Sequence, residues 1–149
     1  MQDIAGCRIV VASIASQDRV IGQLKEIFDR FEIDDRRKDP SHGYRAVHVI
    51  VDLGGKLIEI QVRTSLQHMW AEVSEKISDI VDPRIKYGEG NEGVLSLLSS
   101  SSDLIRDLEL AITAQDTEGI ISNLQRCFES FAKLGDVVRH VGEKNDLSN

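Results

Sequence analysis

Residues 44–64, YRAVHVIVDLGGKLIEIQVRT, hold two alternating runs that meet at Gly54-Gly55. A two-residue Gly-Gly connection between such runs suits a β-hairpin with a type I′ or II′ turn. Fixing the turn fixes the register. Leu53 then pairs with Lys56, Ile50 with Glu59, His48 with Gln61 and Ala46 with Arg63. Successive strand side chains point to opposite faces. One face of the hairpin carries Arg45, Val47, Val49 and Val51 with Ile58, Ile60 and Val62, and its valines and isoleucines are directed at the core. The other carries Tyr44, Ala46, His48 and Ile50 with Glu59, Gln61 and Arg63. A solvated face is the ordinary explanation for polar residues on an antiparallel sheet. Lys and Thr would serve that purpose, whereas this set combines a ring, an imidazole, an acid, an amide and a guanidinium.

The rest of the chain supplies elements to flank the hairpin. CRIVVASI is short, apolar and rich in β-branched residues, and reads as a buried strand. Ser16 or Asp18 caps a helix running to about Phe31, with Val20, Ile21, Leu24, Ile27, Phe28 and Phe31 at helical spacing. FEIDDRRK is a weakly signalled strand, and Pro40 and Gly43 mark a loop. Thr64 or Ser65 caps a helix that ends near Val81, before Pro83. After the connector YGEGNEG, two amphipathic helices follow, marked by Leu95, Leu98, Ile105, Leu108 and Ile112, then by Ile121, Leu124, Phe128, Phe131 and Val138. The serines 99–102 fall on the first of these. The expected architecture is α/β (α+β), a single domain with an α/β portion over 1–82. A helical hairpin over 92–142 packs on that core or forms a homo-oligomer interface.

The 149 residues carry a net charge of −7, which disfavours a general DNA or RNA binder. The local basic cluster is Arg36-Arg37-Lys38, with Arg45 and Arg63 near in sequence. A small anionic ligand needs only such a patch, although Asp34, Asp35 and Asp39 also allow a solvated loop. Cys7 and Cys127 form no metal-binding or disulfide pattern and read as buried small hydrophobes. No apolar run reaches the length of a membrane span, and no signal-peptide pattern opens the sequence, so a cytoplasmic protein is expected. The strand beginning DIAGCRIVV brings Asp3 as a second carboxylate that could approach Glu59. Two carboxylates with anionic substrate oxygens form the usual surroundings of Mg²⁺.

DIAGCRIVV, GYRAVHVIV, IEIQVRT and QHMWAEVSEK, in this order and spacing, resemble the synthetase domain of the RelA/SpoT family of (p)ppGpp synthetases. The resemblance covers roughly residues 2–80. It implies a nucleotidyltransferase-like mixed β-sheet flanked by helices, and transfer of pyrophosphate from ATP to the 3′-hydroxyl of GDP or GTP. It assigns Asp3 and Glu59 to Mg²⁺, with Glu59 also a general base. It assigns Tyr44 to stacking on guanine and His48 to nucleotide contact. Gln61 and Arg63 line the same face, and the region of Arg37, Lys38 and Arg45 belongs to the guanine nucleotide.

Family members carry an Arg-x-Lys…Ser…Lys segment for the ATP phosphates before the Asp-x-x-Gly strand, whereas this sequence starts two residues before Asp3. Weak or absent transfer by these residues alone is therefore expected, and Arg8, at odd separation from Asp3, is expected on the other face. Pro40 and His42 stand where lysine and asparagine are common, so Arg37 or Lys38 is expected to supply the charge. Trp70 reads as a core anchor against the sheet and His68 as a structural histidine or a family counterpart. Glu72, Glu75 and Lys76 read as a solvated face, and His42 and His140 show no metal-ligand spacing. The alternative to an enzyme is a guanine-nucleotide-binding or protein-interaction module that keeps the fold without catalysis.

Overall fold

The computed structural model describes residues 5–146, so Asp3 lies outside the described residues. Two compact units divide the chain, Met1–His68 and Met69–Asn149.

The first unit contains β1 (Ala5–Val11), α1 (Ile14–Ile27), β2 (Phe31–Asp35), β3 (Val47–Leu53), β4 (Lys56–Thr64) and the start of α2 (Ser65–Ile80). The strands form one mixed sheet in the order β1-β4-β3-β2. β1 runs parallel to β4, while β4, β3 and β2 are successively antiparallel. The hairpin has the register set by its glycines, with Leu53 opposite Lys56, Ile50 opposite Glu59 and His48 opposite Gln61. Gly54 and Gly55 have φ of 64° and 83°. Positive φ at both positions selects the type I′ turn, which L-residues with a Cβ adopt only with strain. The Asp52 side chain accepts a 2.6 Å hydrogen bond from the Gly55 amide and holds the turn closed.

The apolar face of the hairpin forms the core. Val47, Val49, Val51, Ile60 and Val62 pack with Ile21 of α1, and Ile9, Val20, Leu24, Phe28 and Ile58 border them. Burying each such side chain contributes about 1.5–3 kcal/mol. The helix caps differ in part from expectation. Ser13 caps α1 by accepting from the Ser16 amide, so the helix starts before Ser16. It ends at Ile27 because Phe28 turns extended, at φ −110° and ψ 126°. Phe31, three positions on, keeps helical spacing by coincidence and opens β2 instead. At α2 the Thr64 hydroxyl accepts from the Gln67 amide at 3.1 Å, and Gln67 returns a bond to the Thr64 amide at 3.2 Å. That reciprocal pair is a capping box.

In the second unit α2 continues to Ile80, and Pro83–Tyr87 forms a 3-10 turn capped by Asp82 and closed by the left-handed Gly88. Helices α3 (Glu92–Thr113) and α4 (Thr117–Asp146) follow; Asn91 caps α3, so the helix begins inside the YGEGNEG segment. The Trp70 indole N–H bonds the Leu98 carbonyl at 3.1 Å and the Ser101 hydroxyl at 3.0 Å, both on α3. Ser101 and Ser102 are buried on the packed side of α3, whereas Ser99 and Ser100 are exposed. No helix among the described residues is long and apolar enough to cross a membrane.

Candidate functional site

The face of the sheet opposite α1 carries the polar half of the hairpin. A tight turn delivers Tyr44 to it: His42 and Gly43 are both left-handed, with φ of 52° and 87°, and the Tyr44 amide bonds the Ser41 carbonyl at 2.9 Å. Tyr44 thus lies before β3 rather than within it, yet its phenol still reaches the strand residues.

Five side chains close a ring of hydrogen bonds there. Arg63 Nη2 donates to the Tyr44 oxygen at 2.8 Å. The Tyr44 hydroxyl lies 2.9 Å from His48 Nε2. His48 Nδ1 contacts Glu59 Oε1. Arg63 Nη2 also donates to Gln61 Oε1 at 2.9 Å, and Gln61 Nε2 approaches Glu59 Oε2 at 3.4 Å. The inventory of donors fixes the direction of every bond. Arg63 can only donate and ionised Glu59 can only accept. Tyr44 therefore donates to Nε2, and a neutral His48 carries its proton on Nδ1. Two donor paths run from the guanidinium to the carboxylate, one through Tyr44 and His48, the other through Gln61.

The electrostatics agree with these roles. Burial pushes the His48 imidazole below its usual range, against the opposing pull of Glu59. Burial also pushes the Tyr44 phenol up, over the opposing charge of Arg63. A neutral imidazole and an un-ionised phenol follow at neutral pH. The Arg63 guanidinium lies 4.8 Å from the centre of the Tyr44 ring, and His48 meets that ring edge-on at 5.6 Å between centres. Arg63 is 3% exposed, and its Nε and Nη1 are buried without a hydrogen-bond partner among the described residues.

The other nominated cations are arranged differently. Arg37 binds Asp35 and Asp18, each at 2.6 Å, and reaches Gln17 at 3.5 Å. Arg45 is buried and donates to the Arg37 carbonyl. Lys38 is exposed on the loop. Arg36 is the member of the basic triplet beside the ring of bonds, with its guanidinium 6.0 Å from the centre of Tyr44 and an ion pair to Asp34 at 2.7 Å. Asp34 stands opposite His48 in the sheet register. Strand parity would have found both residues had FEIDD carried a stronger β signal. Arg8 registers with Gln61 and so shares the polar face. Asp3, its intended counterpart, is outside the described residues.

Among the described residues no group of three or more His, Cys, Asp or Glu is placed to hold a metal. Glu59 fits one arm of a Mg²⁺ site. Its side chain is 18% exposed, and among the described residues the hydrogen bond at Oε2 is the long one from Gln61. A hard cation takes carboxylate oxygen and fills the rest of its shell with phosphate and water.

The model for the region found in RelA/SpoT proteins matches residues 1–88. An uncharacterised protein of Mycobacterium tuberculosis is 40% identical over 95 residues, covering 62% of this chain and 35% of the relative. A GTP pyrophosphokinase of Haemophilus influenzae is 30% identical over 112 residues, covering 72% of this chain and 14% of that protein. The small alarmone synthetase 1 of Bacillus subtilis, solved with its product pppGpp, superposes with a TM-score of 0.60 at 25% identity, over 79% of this chain and 64% of that one. The chain thus spans about a third of the length of the mycobacterial relative.

Proposed function

From the RelA/SpoT family, to which this chain belongs, we propose that its polar sheet face binds GDP or GTP and serves pyrophosphate transfer from ATP to the 3′-hydroxyl. The (p)ppGpp synthetase-like fold sets the context. The observation that carries the reading is the ring of bonds joining Tyr44, His48, Glu59, Gln61 and Arg63 on one face. Tyr44 offers a ring for the guanine base. Arg63 holds two buried nitrogens, Nε and Nη1, without acceptors among the described residues, an arrangement that is costly for a cation and is offset when an anionic or carbonyl oxygen arrives.

In the transfer the ribose O3′ forms a bond to the β-phosphorus of ATP. The bond from that phosphorus to the α,β-bridging oxygen breaks, AMP leaves, and Glu59 takes the 3′-hydroxyl proton. Such chemistry needs positioning and charge neutralisation and no nucleophilic side chain. Mg²⁺, held by Glu59 with Asp3, would neutralise phosphate charge. Arg36 and Lys38 supply further positive charge from the loop. Arg37 and Arg45 would take part only if the nucleotide reached their present partners.

The second reading is a nucleotide-binding module without transfer. Calorimetric titration with GDP and GTP, with and without Mg²⁺, tests the shared part of the two readings. Incubation with labelled ATP and GDP separates them: (p)ppGpp formation marks the enzyme, and binding without product marks the module. No binding of either nucleotide rejects both.

A further inference from the structure

We infer that His48 is a positioning residue that bridges Tyr44 to Glu59, so that occupation of the Tyr44 ring and cation binding at Glu59 are energetically coupled. This rests in part on the nucleotide reading above, because it takes the Tyr44 ring as the seat of the base.

The imidazole is held at both nitrogens, by the Tyr44 hydroxyl at 2.9 Å and by Glu59 Oε1. It is buried on β3, opposite Gln61 of β4 and Asp34 of β2, with Arg36 entering from the loop. It therefore has little freedom to serve as a mobile ligand contact. What it can do is orient. With Oε1 fixed by Nδ1–H, the carboxylate keeps Oε2 as the oxygen with the weaker contact, and so available to a cation. The orientation depends in turn on the phenol, since Tyr44 holds Nε2. A base laid on the Tyr44 ring constrains the ring, the ring constrains His48, and His48 constrains Glu59. Coupling between two sites is reciprocal, so the cation must raise affinity for the base by the same factor.

The substitutions separate this bridge from simple contact. Tyr44→Phe keeps the ring and removes the hydroxyl. His48→Leu removes both hydrogen bonds, whereas His48→Gln keeps a donor and an acceptor without a titrating ring. In the wild-type chain Mg²⁺ is expected to tighten GDP binding several-fold. Whatever its affinity for GDP without the cation, Tyr44→Phe should lose at least half of the cation's enhancement on a logarithmic scale. His48→Leu should lose it as well, and His48→Gln should recover part of it. Equal cation enhancement in all four proteins overturns the bridge.

Two measurements need no nucleotide. Nitrogen-15 NMR of the free chain should find His48 protonated at Nδ1, with its Nε2 resonance shifted by Tyr44→Phe. Paramagnetic broadening by Mn²⁺ alone should show a site at Glu59 that weakens several-fold in Tyr44→Phe and His48→Leu and is partly restored in His48→Gln. A proton on Nε2, or Mn²⁺ binding that is indifferent to these changes, rejects the bridge. Failure to bind any guanine nucleotide rejects the functional reading, and the NMR and Mn²⁺ results then decide the bridge by themselves.

Discussion

Gln17 and Gln67 join their side-chain amides at 3.0 Å, 50 positions apart and both buried. The Gln17 amide also donates to the Val62 carbonyl at 2.8 Å, from near the start of a helix whose later positions pack the core. One polar side chain thereby ties α1 to the end of β4 and to the cap of α2. Gln17→Leu is expected to lose about 1–3 kcal/mol, because it leaves two buried acceptors short of a partner. Urea unfolding with an unchanged slope checks it, and wild-type stability would show that water replaces the amide.

Tyr44→Ala should weaken guanine-nucleotide binding by about 1–3 kcal/mol, the usual range for a base stacked on an aromatic ring. Calorimetry on GDP provides the measurement. Unchanged affinity would remove Tyr44 from the site.

Arg63→Met should separate stability from binding. Removing the guanidinium forfeits its bonds to Tyr44 and Gln61 but also relieves the desolvation of its unpaired nitrogens. Here two of its donors lack partners. The melting temperature of the free chain is expected to hold or rise, while stabilisation by added GDP falls at least ten-fold in apparent affinity. A lower melting temperature with intact GDP stabilisation would make Arg63 purely structural.

Acid should act on the opposite face of the sheet. The Arg37 guanidinium beside Asp35 holds its carboxyl below the usual carboxylate range. A depressed folded-state value means that the stabilisation is fully present above about pH 3.8 and is lost as pH falls through the lower value. Denaturant titrations across the acid range should show Asp35→Asn less stable than wild type near neutrality, with the difference closing below pH 4. A difference that stays constant with pH would show that the pair contributes packing rather than charge.

Much of this arrangement is legible in the residues. The glycine pair set the hairpin register, and the register set which residues face the core. The polar face followed by parity. The basic segment was harder because two adjacent arginines, Arg36 and Arg37, go to opposite sides of the sheet, one to Asp34 and one to Asp35 and Asp18. Only confident assignment of β2 would have sorted them, and its short acidic sequence carries little β propensity. Gln17 was invisible for another reason. A polar residue at a buried helical position reads as an interruption of the apolar stripe, and its partners lie on β4 and α2.

The Gly54-Gly55 turn has a consequence for how such a chain can vary. Because its faces alternate residue by residue, a hairpin tolerates little change in its pairing. One extra codon in the turn, if the strands re-paired around it, would shift one strand by a single place. It could turn Glu59, Gln61 and Arg63 toward α1 and bring Ile58, Ile60 and Val62 out to water. The cheapest genetic route to losing this site is thus through two glycines that touch none of it.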